Sequence, residues 1–139
     1  MLNIRYANEN DATFWFKLDK HISKKEFLNK VKNKMGYVIL KDDIPIGLLR
    51  YNLFWDNTPF CTMLYIDSNF QNKGYGKINE FLGKRYEKVK LRNGYDFYSS
   101  RRKRSTFYRK LGFSDAGCLI IDIPKYKQPM EIFFIKELQ

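Results

Sequence analysis

The chain has 139 residues, of which 44% are hydrophobic and 17% are aromatic, and this is enough to bury the core of one compact domain. Its 26 lysines and arginines outnumber 15 acidic residues, so the formal charge is +11 and anionic partners are favoured. A membrane partner is not expected, because no apolar run reaches the roughly 20 residues of a membrane span. The N-terminus lacks a signal pattern, so a cytoplasmic protein is expected.

The cysteines, the histidine and the net charge indicate whether a metal site, a disulfide or an anionic partner is expected. The single histidine, and two cysteines without ligand spacing, predict that no metal is bound. Cys61 and Cys118 each lie in an apolar segment, which predicts buried thiols rather than a disulfide. The positive charge indicates either an anionic partner, such as nucleic acid, or a solvated lysine-rich surface without one.

In the first half of the chain, the residue pattern predicts a strand, two helices and three further strands. Asn10 or Asp11 is placed to cap the first helix, and Gly36 is placed to end the second. Ser23, followed three residues later by Glu26, has the spacing of a capping box for that second helix. The predicted strands cover 3–6, 37–40, 44–54 and 60–66, with turns at 42–43 and 56–59.

The second half predicts a long helix, a short helix and three strands. Apolar residues at helical spacing run from Ile78 to Val89, and Asn93-Gly94 stops that helix. The strands cover 95–98, 113–123 and 130–136, and the short helix lies between the first two, with Gly112 as its C-terminal cap. We therefore expect one domain over residues 1–139 of α/β (α+β) class. Its mixed, mostly antiparallel sheet would be flanked by about four helices.

A glycine-containing turn between the 60–66 strand and the long helix is the feature most informative for function. It reads Asn69-Phe70-Gln71-Asn72-Lys73-Gly74-Tyr75-Gly76-Lys77. Unpaired backbone N–H groups at such a strand-to-helix turn, together with the helix dipole, suit a phosphate. The turn lacks the Gly-x-Gly-x-x-Gly fingerprint of dinucleotide sites and the Gly-Lys-Ser/Thr of magnesium-nucleotide sites.

The remaining pattern, Gln-x-x-Gly-x-Gly after a strand, resembles the acyl-CoA pyrophosphate loop of the GNAT superfamily of N-acetyltransferases. Downstream, Thr106-Phe107-Tyr108-Arg109-Lys110-Leu111-Gly112-Phe113 resembles the late helix of that superfamily, aromatic-Tyr-x-Lys-Leu-Gly-Phe. The order and spacing of the two motifs agree with the family, and the resemblance covers most of the chain. It implies direct transfer of an acetyl group from acetyl-CoA, as co-substrate, to a primary amine in a ternary complex.

The resemblance also assigns residues to acetyl-CoA. The glycine turn would hold the pyrophosphate through backbone N–H groups, and the preceding strand would hydrogen-bond the pantetheine arm. Arg101 stands where many relatives carry an asparagine, and it opens a basic stretch, Arg101–Arg104, before the late helix. These cations either meet the coenzyme phosphates or are ordinary exposed charges. The residues assigned to the coenzyme are Leu64, Tyr65, Ile66, Gln71, Asn72, Lys73, Gly74, Tyr75, Gly76, Lys77 and Arg101.

Two residues are predicted to take part in catalysis. Tyr108 matches the family position of the general acid. A phenol suits this role because it is protonated at neutral pH and can protonate the departing thiolate. The alternative is a tyrosine packed beside the coenzyme. A base for the attacking amine would be Asp56, with Glu80 or ordered water as alternatives.

The acceptor side is predicted from aromatic residues. The stretch 49–60 resembles a bacterial subgroup of largely uncharacterised acetyltransferases, and Tyr51, Phe54 and Trp55 within it could line a cleft for an apolar or cationic amine. Aromatic residues on a strand also serve as core, and His21 is expected as a surface loop residue. Small molecules and peptides both stay open as acceptors. Two competing functions are a basic nucleic-acid-binding module and an inactive acyl-CoA-binding protein.

Overall fold

A computed structural model of the chain describes residues 1–73, 95–101, 105–110 and 112–137. The chain divides into two compact units. The first unit contains Met1–Asn52 and Thr62–Tyr75, and the second contains Leu53–Cys61 and Gly76–Gln139. Within the described ranges, no helix is long and apolar enough to cross a membrane.

The described elements alternate between strands and helices. The strands are β1 (Leu2–Tyr6), β2 (Gly36–Lys41), β3 (Ile44–Phe54), β4 (Thr58–Ile66), β5 (Tyr95–Arg101), β6 (Ser114–Ile123) and β7 (Tyr126–Glu137). The helices are α1 (Ala12–Leu18), α2 (Lys24–Lys32) and α3 (Ser105–Lys110). Two 3₁₀ turns, Glu9–Asp11 and Ser68–Phe70, precede α1 and follow β4.

The sheet of the first unit is antiparallel. β1 pairs with β2 from Leu2↔Lys41 to Tyr6↔Tyr37, and β2 pairs with β3. The tight turn between β2 and β3 places Asp42 and Asp43 at φ 48° and 65°, a conformation that hairpin turns demand and that aspartate tolerates. A change of register between Ile39 and Leu40 marks a bulge in this ladder.

An apolar core lies between this sheet and the first two helices. Trp15 of α1 is fully buried, and its ring centroid lies 5.3 Å from that of Phe27 on α2. Trp15 and Phe27 therefore face the sheet, as helical spacing requires, whereas Leu28 of α2 is 37% exposed. The buried members of this cluster are Ala7, Trp15, Phe27, Val38, Leu40 and Leu48.

The helix ends differ in part from the sequence prediction. Asp11, one of the two predicted residues, stands at the N-cap position of α1, but its side chain makes no capping hydrogen bond there. Its carboxylate accepts instead from the Asn8 N–H and from Arg5, and Asn8 caps the 3₁₀ turn that precedes α1. Ser23 caps α2 as predicted, through a 3.2 Å bond from the Glu26 N–H. α2 ends at Lys32, before the predicted end at Gly36, and Lys34 takes a left-handed conformation (φ 55°). Gly36 instead begins β2.

The second unit combines parallel and antiparallel pairing. β4 and β5 run parallel through Phe60↔Phe97 and Cys61↔Tyr98. β5 pairs antiparallel with β7, and β7 pairs antiparallel with β6. The predicted mixed, mostly antiparallel sheet with flanking helices is therefore confirmed. The predicted long helix from Ile78 lies outside the described residues.

Three details of this unit correct the sequence reading. Pro59 belongs to β4, because the turn before it is made by Trp55 and Asp56 at φ 49° and 63°. Cys61 is buried as predicted, whereas Cys118 is exposed on β6, and the two cysteines form no disulfide. Arg101 ends β5 opposite Glu131, so this strand extends beyond the predicted range 95–98.

Close approach of β3 to the end of β4 depends on Gly47. A Cβ atom at this position would lie 2.6 Å from Ile66 Cδ1 and 2.7 Å from the Tyr65 carbonyl oxygen. We expect Gly47→Ala to destabilise the protein by roughly 1–3 kcal/mol, the usual range for overpacking. Chemical denaturation followed by circular dichroism would measure this loss.

The double variant Gly47→Ala/Ile66→Val is the control for this prediction. Valine removes the clashing methyl group but leaves the Tyr65 carbonyl in place, so only part of the lost stability should return. An unchanged denaturation midpoint for Gly47→Ala would show that β3 and β4 can separate without cost.

Candidate functional site

The end of β4 and the following turn lead to the predicted pyrophosphate loop, and Asp67 organises this segment. Its N–H donates to the Ile46 carbonyl (2.8 Å), which holds the turn against β3. Its carboxylate accepts from the Asn69 N–H (3.0 Å) and from Lys17 Nζ (2.9 Å). Asp67 is 5% exposed, so these bonds replace the water that it would otherwise bind.

Gln71, Asn72 and Lys73 form the start of the glycine motif. The Gln71 side-chain amide donates to the Ile66 carbonyl at 2.7 Å, which folds the turn back onto β4. Asn72 then takes a left-handed conformation (φ 60°), one that asparagine adopts more readily than most residues. Lys73 Nζ lies 5.5 Å from the centre of the Phe70 ring. The turn therefore presents an exposed lysine immediately before the glycines.

The structure describes only some of the residues that were assigned to the coenzyme. Leu64, Tyr65 and Ile66 lie on β4, and Gln71, Asn72 and Lys73 follow in the turn, so the first unit brings these six together. The assigned residues Gly74, Tyr75, Gly76 and Lys77 lie outside the described residues, as does Glu80. A coenzyme contact for any of them stays a prediction.

A buried ion pair joins the helical layer of the first unit to β3 and β4. Asp19 is fully buried at the end of α1, and Oδ2 accepts from Arg50 Nε at 2.8 Å. The same oxygen accepts from Trp15 Nε1 at 3.3 Å. Arg50 Nη1 donates to Thr62 Oγ1 at 2.9 Å, and Thr62 lies just before the β4 residues assigned to the coenzyme. The charge of Asp19 is thereby compensated through paired and hydrogen-bonded groups.

Lys30 is a buried cation that the sequence reasoning did not single out. It is 7% exposed on α2, and Nζ donates to the Tyr51 carbonyl at 2.7 Å and to the Asn52 side chain. Burial and the nearby positive charge of Arg50 lower the pKa of Lys30, while Glu26 works in the opposite direction. There was little indication in the sequence that Lys30 is buried. It lies on the inner face of α2, and the other lysines of this helix look the same in sequence.

Tyr108, the predicted general acid, is held in the second unit by aromatic packing. It is 7% exposed, and its ring stacks on Phe134 with centroids 5.3 Å apart. Phe113 packs edge-on against the same ring at 5.9 Å. These contacts restrict the ring to one orientation, which a positioned proton donor requires and which a packing residue would also show.

The backbone after Tyr108 forms the predicted glycine cap. Gly112 has φ 85°, its N–H donates to the Arg109 carbonyl, and the Phe113 N–H donates to the Tyr108 carbonyl. These two bonds define a Schellman motif, so the helix end is closed at Gly112 as expected. Arg109 also makes a bidentate pair with Asp115, with both distances 2.8 Å, and this pair lowers the pKa of Asp115.

The predicted acceptor residues do not share one environment. Phe54 stacks on Phe60 at 4.4 Å and lies 6.3 Å from Phe133, so it belongs to an aromatic cluster of the second unit. Trp55 is 75% exposed at the hairpin tip, with its ring 5.5 Å from that of Phe54. Asp56, the predicted base, is the next residue of the same exposed turn. The structure thus brings Phe54, Trp55 and Asp56 together.

Tyr51 lies instead in the core of the first unit. It is 3% exposed, its ring stacks near Tyr37 at 6.3 Å, and its hydroxyl donates to the Lys34 carbonyl at 3.3 Å. Burial, reinforced by Tyr6, raises the pKa of Tyr51 to about 12, against the effect of a hydrogen bond with Tyr37. These contacts give it a structural role. His21 is exposed in the loop after α1, as expected.

Comparison with known proteins identifies the family of this chain. The sequence model of the Acetyltransferase (GNAT) family matches residues 4–113, a range that includes the glycine motif and the Tyr108 motif. The chain therefore belongs to the GNAT acetyltransferase family. A search of curated proteins found no match to the chain.

Solved structures with the same fold include three bacterial acetyltransferases. The ribosomal-protein-S18-alanine N-acetyltransferase from Escherichia coli is 14% identical, with a TM-score of 0.77, and the match covers 99% of this chain and 94% of that one. The ribosomal-protein-alanine N-acetyltransferase from Brucella melitensis is 16% identical, with a TM-score of 0.77 and coverages of 98% and 99%. A Bacillus subtilis acetyltransferase in complex with CoA is 14% identical, with a TM-score of 0.73 and full coverage of both chains (100% and 100%).

The Asp67 contacts predict a dependence of stability on pH. Hydrogen bonds from Lys17 and from the Asn69 N–H lower the pKa of Asp67 below its usual 3.8. A lowered folded-state pKa gives stability that is present above the usual value and is lost as the pH falls through the lowered one. We therefore expect Asp67→Asn to lower the denaturation midpoint near neutral pH, and this difference from wild type should shrink on acidification to about pH 3.

Lys17→Gln is the matched control for Asp67→Asn. It removes the partner charge at a position whose side chain is 63% exposed, so its own effect should be modest because solvent screens the pair. Its loss of stability should likewise fade at low pH. A difference between Asp67→Asn and wild type that stays constant with pH would contradict the assigned role of the carboxylate.

Proposed function

We propose that this protein transfers an acetyl group from acetyl-CoA directly to a primary amine, within one acyltransferase domain over residues 1–139. The observation that carries the proposal is the family match over 4–113, which places both motifs of the resemblance within one GNAT sequence. The immobilised ring of Tyr108 on its glycine-capped helix supports it further.

The proposed coenzyme site begins at the turn that Asp67 organises. Gln71, Asn72 and Lys73 are exposed there, and an exposed ammonium beside a glycine-rich turn suits a pyrophosphate. We assign the pyrophosphate to the backbone of Asn72–Lys77 and the pantetheine arm to the backbone of Leu64–Ile66. Arg101, at the end of β5, is proposed to add positive charge near the phosphates. The coenzyme complex named for the Bacillus subtilis acetyltransferase supports CoA as the carrier.

The bond changes required are simple. The amine nitrogen forms a bond to the thioester carbonyl carbon, the carbon–sulfur bond breaks, and the electron pair of that bond stays on the sulfur. Tyr108 is proposed to donate its hydroxyl proton to that sulfur, so that a neutral thiol departs. The amine must lose a proton as well, and Asp56 is proposed to accept it directly or through water. Phe54 and Trp55, beside Asp56 in the second unit, are proposed to contact the acceptor.

The acceptor class is open between small amines and protein N-termini. Two of the structures with this fold are named as ribosomal-protein alanine N-acetyltransferases, which supports testing peptides with a free N-terminus first. A screen of peptide and small-molecule amines against acetyl-CoA, with release of free thiol as the readout, tests the proposed activity. Binding of acetyl-CoA without thiol release from any acceptor would favour an inactive coenzyme-binding protein.

Replacement of Tyr108 by phenylalanine tests the proton donor. The variant keeps the ring that packs on Phe113 and Phe134 and removes only the hydroxyl, so fold and coenzyme affinity should persist. Turnover with a confirmed acceptor should fall by roughly 10²-fold or more, the scale of general acid catalysis. The Michaelis constant should change little, because the lost interaction belongs to the transition state.

Tyr126→Phe is the matched control for Tyr108→Phe, since it removes the same hydroxyl from a tyrosine that is 62% exposed on β7. Its turnover should equal that of wild type. Near-normal turnover of Tyr108→Phe would leave Tyr108 as a packing residue and assign the proton to water.

Replacing Gly74 and Gly76 with valine tests the pyrophosphate loop. Added side chains should prevent close approach of the backbone and weaken acetyl-CoA binding in calorimetry. Acetyl-pantetheine, which carries the thioester without the pyrophosphate, is the control ligand, and its affinity should be unaffected. A folded variant with unchanged acetyl-CoA affinity would contradict the assignment.

A further inference from the structure

A hydrogen-bonded chain from the end of α1 reaches β4 just before the residues assigned to the pantetheine arm. Asp19 is fully buried and accepts from Arg50 Nε at 2.8 Å. Arg50 Nη1 donates to Thr62 Oγ1 at 2.9 Å, and the Thr62 hydroxyl donates to the Arg50 carbonyl at 3.3 Å. Thr62 is thus bonded to both the side chain and the backbone of one residue of β3, and these bonds fix the position of β4 at this point.

The segment assigned to the pantetheine arm is also attached to β3 at its other end. The Asp67 N–H donates to the Ile46 carbonyl at 2.8 Å, and the Asp67 carboxylate accepts from Lys17 of α1. Residues 64–66 lie between the two attachments. A ligand held by backbone groups needs those groups in one place, because a hydrogen bond weakens steeply away from its preferred distance and angle. Attachment at Thr62 and at Asp67 meets that need.

Stability alone does not explain an ion pair at this place. A buried ion pair is often no more stabilising than apolar side chains of similar volume, because both charges lose their water. The Arg50 side chain is only 11% exposed, and it lies near the buried cation of Lys30. What arginine adds is direction, since its planar guanidinium holds two acceptors at a fixed angle. Here one acceptor is Asp19 and the other is Thr62, so the place of β4 follows from that of α1.

We propose that Arg50 and Thr62 are positioning residues for the coenzyme, which keep residues 64–66 of β4 where their backbone meets the pantetheine arm. The inference rests on the proposed function, and neither side chain is assigned a contact with the coenzyme itself. Asp19 orients Arg50, Arg50 holds Thr62, and Thr62 sets the start of the segment. Supporting contacts of this kind decide how precisely a binding site is held.

Calorimetry with Thr62→Val and Thr62→Ser tests the proposal. Valine keeps the size of threonine and removes both hydrogen bonds to Arg50, whereas serine keeps the hydroxyl. Thr62→Val should bind acetyl-CoA and acetyl-pantetheine roughly 3- to 30-fold more weakly, the scale for a residue that acts on a ligand through others. Its affinity for ADP, which carries the pyrophosphate without the arm, should be unchanged. Thr62→Ser should bind all three ligands like wild type.

Arg50→Lys tests the same contact from β3. Lysine keeps a positive charge for Asp19 but has no planar fork to hold Thr62 as well, so acetyl-CoA and acetyl-pantetheine should again bind more weakly. Ser23→Ala is the control for a general loss of stability, because it removes the hydrogen bond that caps α2. It should lower the denaturation midpoint and leave all three affinities unchanged.

Circular dichroism first establishes that each variant is folded, and if Thr62→Val or Arg50→Lys is not, the other one carries the test. Wild-type affinity of the folded variant for acetyl-pantetheine would overturn the proposal. So would a loss that Thr62→Ser or Ser23→Ala shares, or an equal loss for ADP, which would locate the effect at the phosphate turn. If wild type itself bound no acetyl-CoA, the proposed function would fail together with this inference. With normal wild-type binding, the results above overturn this inference alone.

Discussion

The buried carboxylate of Asp19 is the constraint on which the first unit depends. A fully buried charge needs a paired cation and hydrogen bonds, and here they come from Arg50 on β3, Trp15 on α1 and the His21 N–H. Each partner fixes a different part of the chain. Trp15 fixes the packing of α1, the His21 N–H fixes the loop that leads to α2, and Arg50 fixes the register of β3. Arg50 then reaches Thr62, so the same charge also positions the strand that leads to the proposed coenzyme turn. Because removing either partner leaves an uncompensated charge, such a pair favours one arrangement over near alternatives.

Local patterns were enough to predict most of the fold. Alternation located β1, apolar stretches bounded by turn residues located β2 to β4, the Ser23 spacing located the start of α2, and Gly112 was recognised as the end of α3. The errors arose where tertiary contacts override local preference. Gly36 begins β2 instead of ending α2, and a Cβ at this position would lie 3.0 Å from the Trp15 ring, so glycine serves packing there. Asp11 stands at the N-cap of α1 but makes no capping hydrogen bond, because Arg5 and the Asn8 N–H hold its carboxylate.

The family could be predicted from the sequence, whereas the roles of single residues stay predictions. The order and spacing of the glycine motif and the Tyr108 motif pointed to a family that the sequence comparison supports. Aromatic residues have many uses. Tyr51, Phe54 and Trp55 look equivalent in sequence, but their exposures range from 3% for Tyr51 to 75% for Trp55, and no local pattern separates them. Lys30 was missed for the same reason, because a lysine at helical spacing gives no sign that its ammonium is buried.

Aromatic stacking takes over much of the packing in a chain that is 17% aromatic. In the first unit, Tyr6, Tyr37 and Tyr51 stack across three neighbouring strands with centroid distances of 4.9 and 6.3 Å. In the second, neighbouring residues of β7 take part in two separate clusters, since Phe133 meets Phe60 while Phe134 meets Tyr108. Successive side chains of a strand point to opposite faces. β7 therefore contacts the aromatic cluster of Phe54 and Phe60 on one face and the ring of Tyr108, the proposed proton donor, on the other. Phe134 is fully buried, and Arg109 lies 5.8 Å from the centre of its ring. The orientation of Tyr108 therefore rests on buried β7 packing as well as on its own short helix, which by itself is too short to be stable in water.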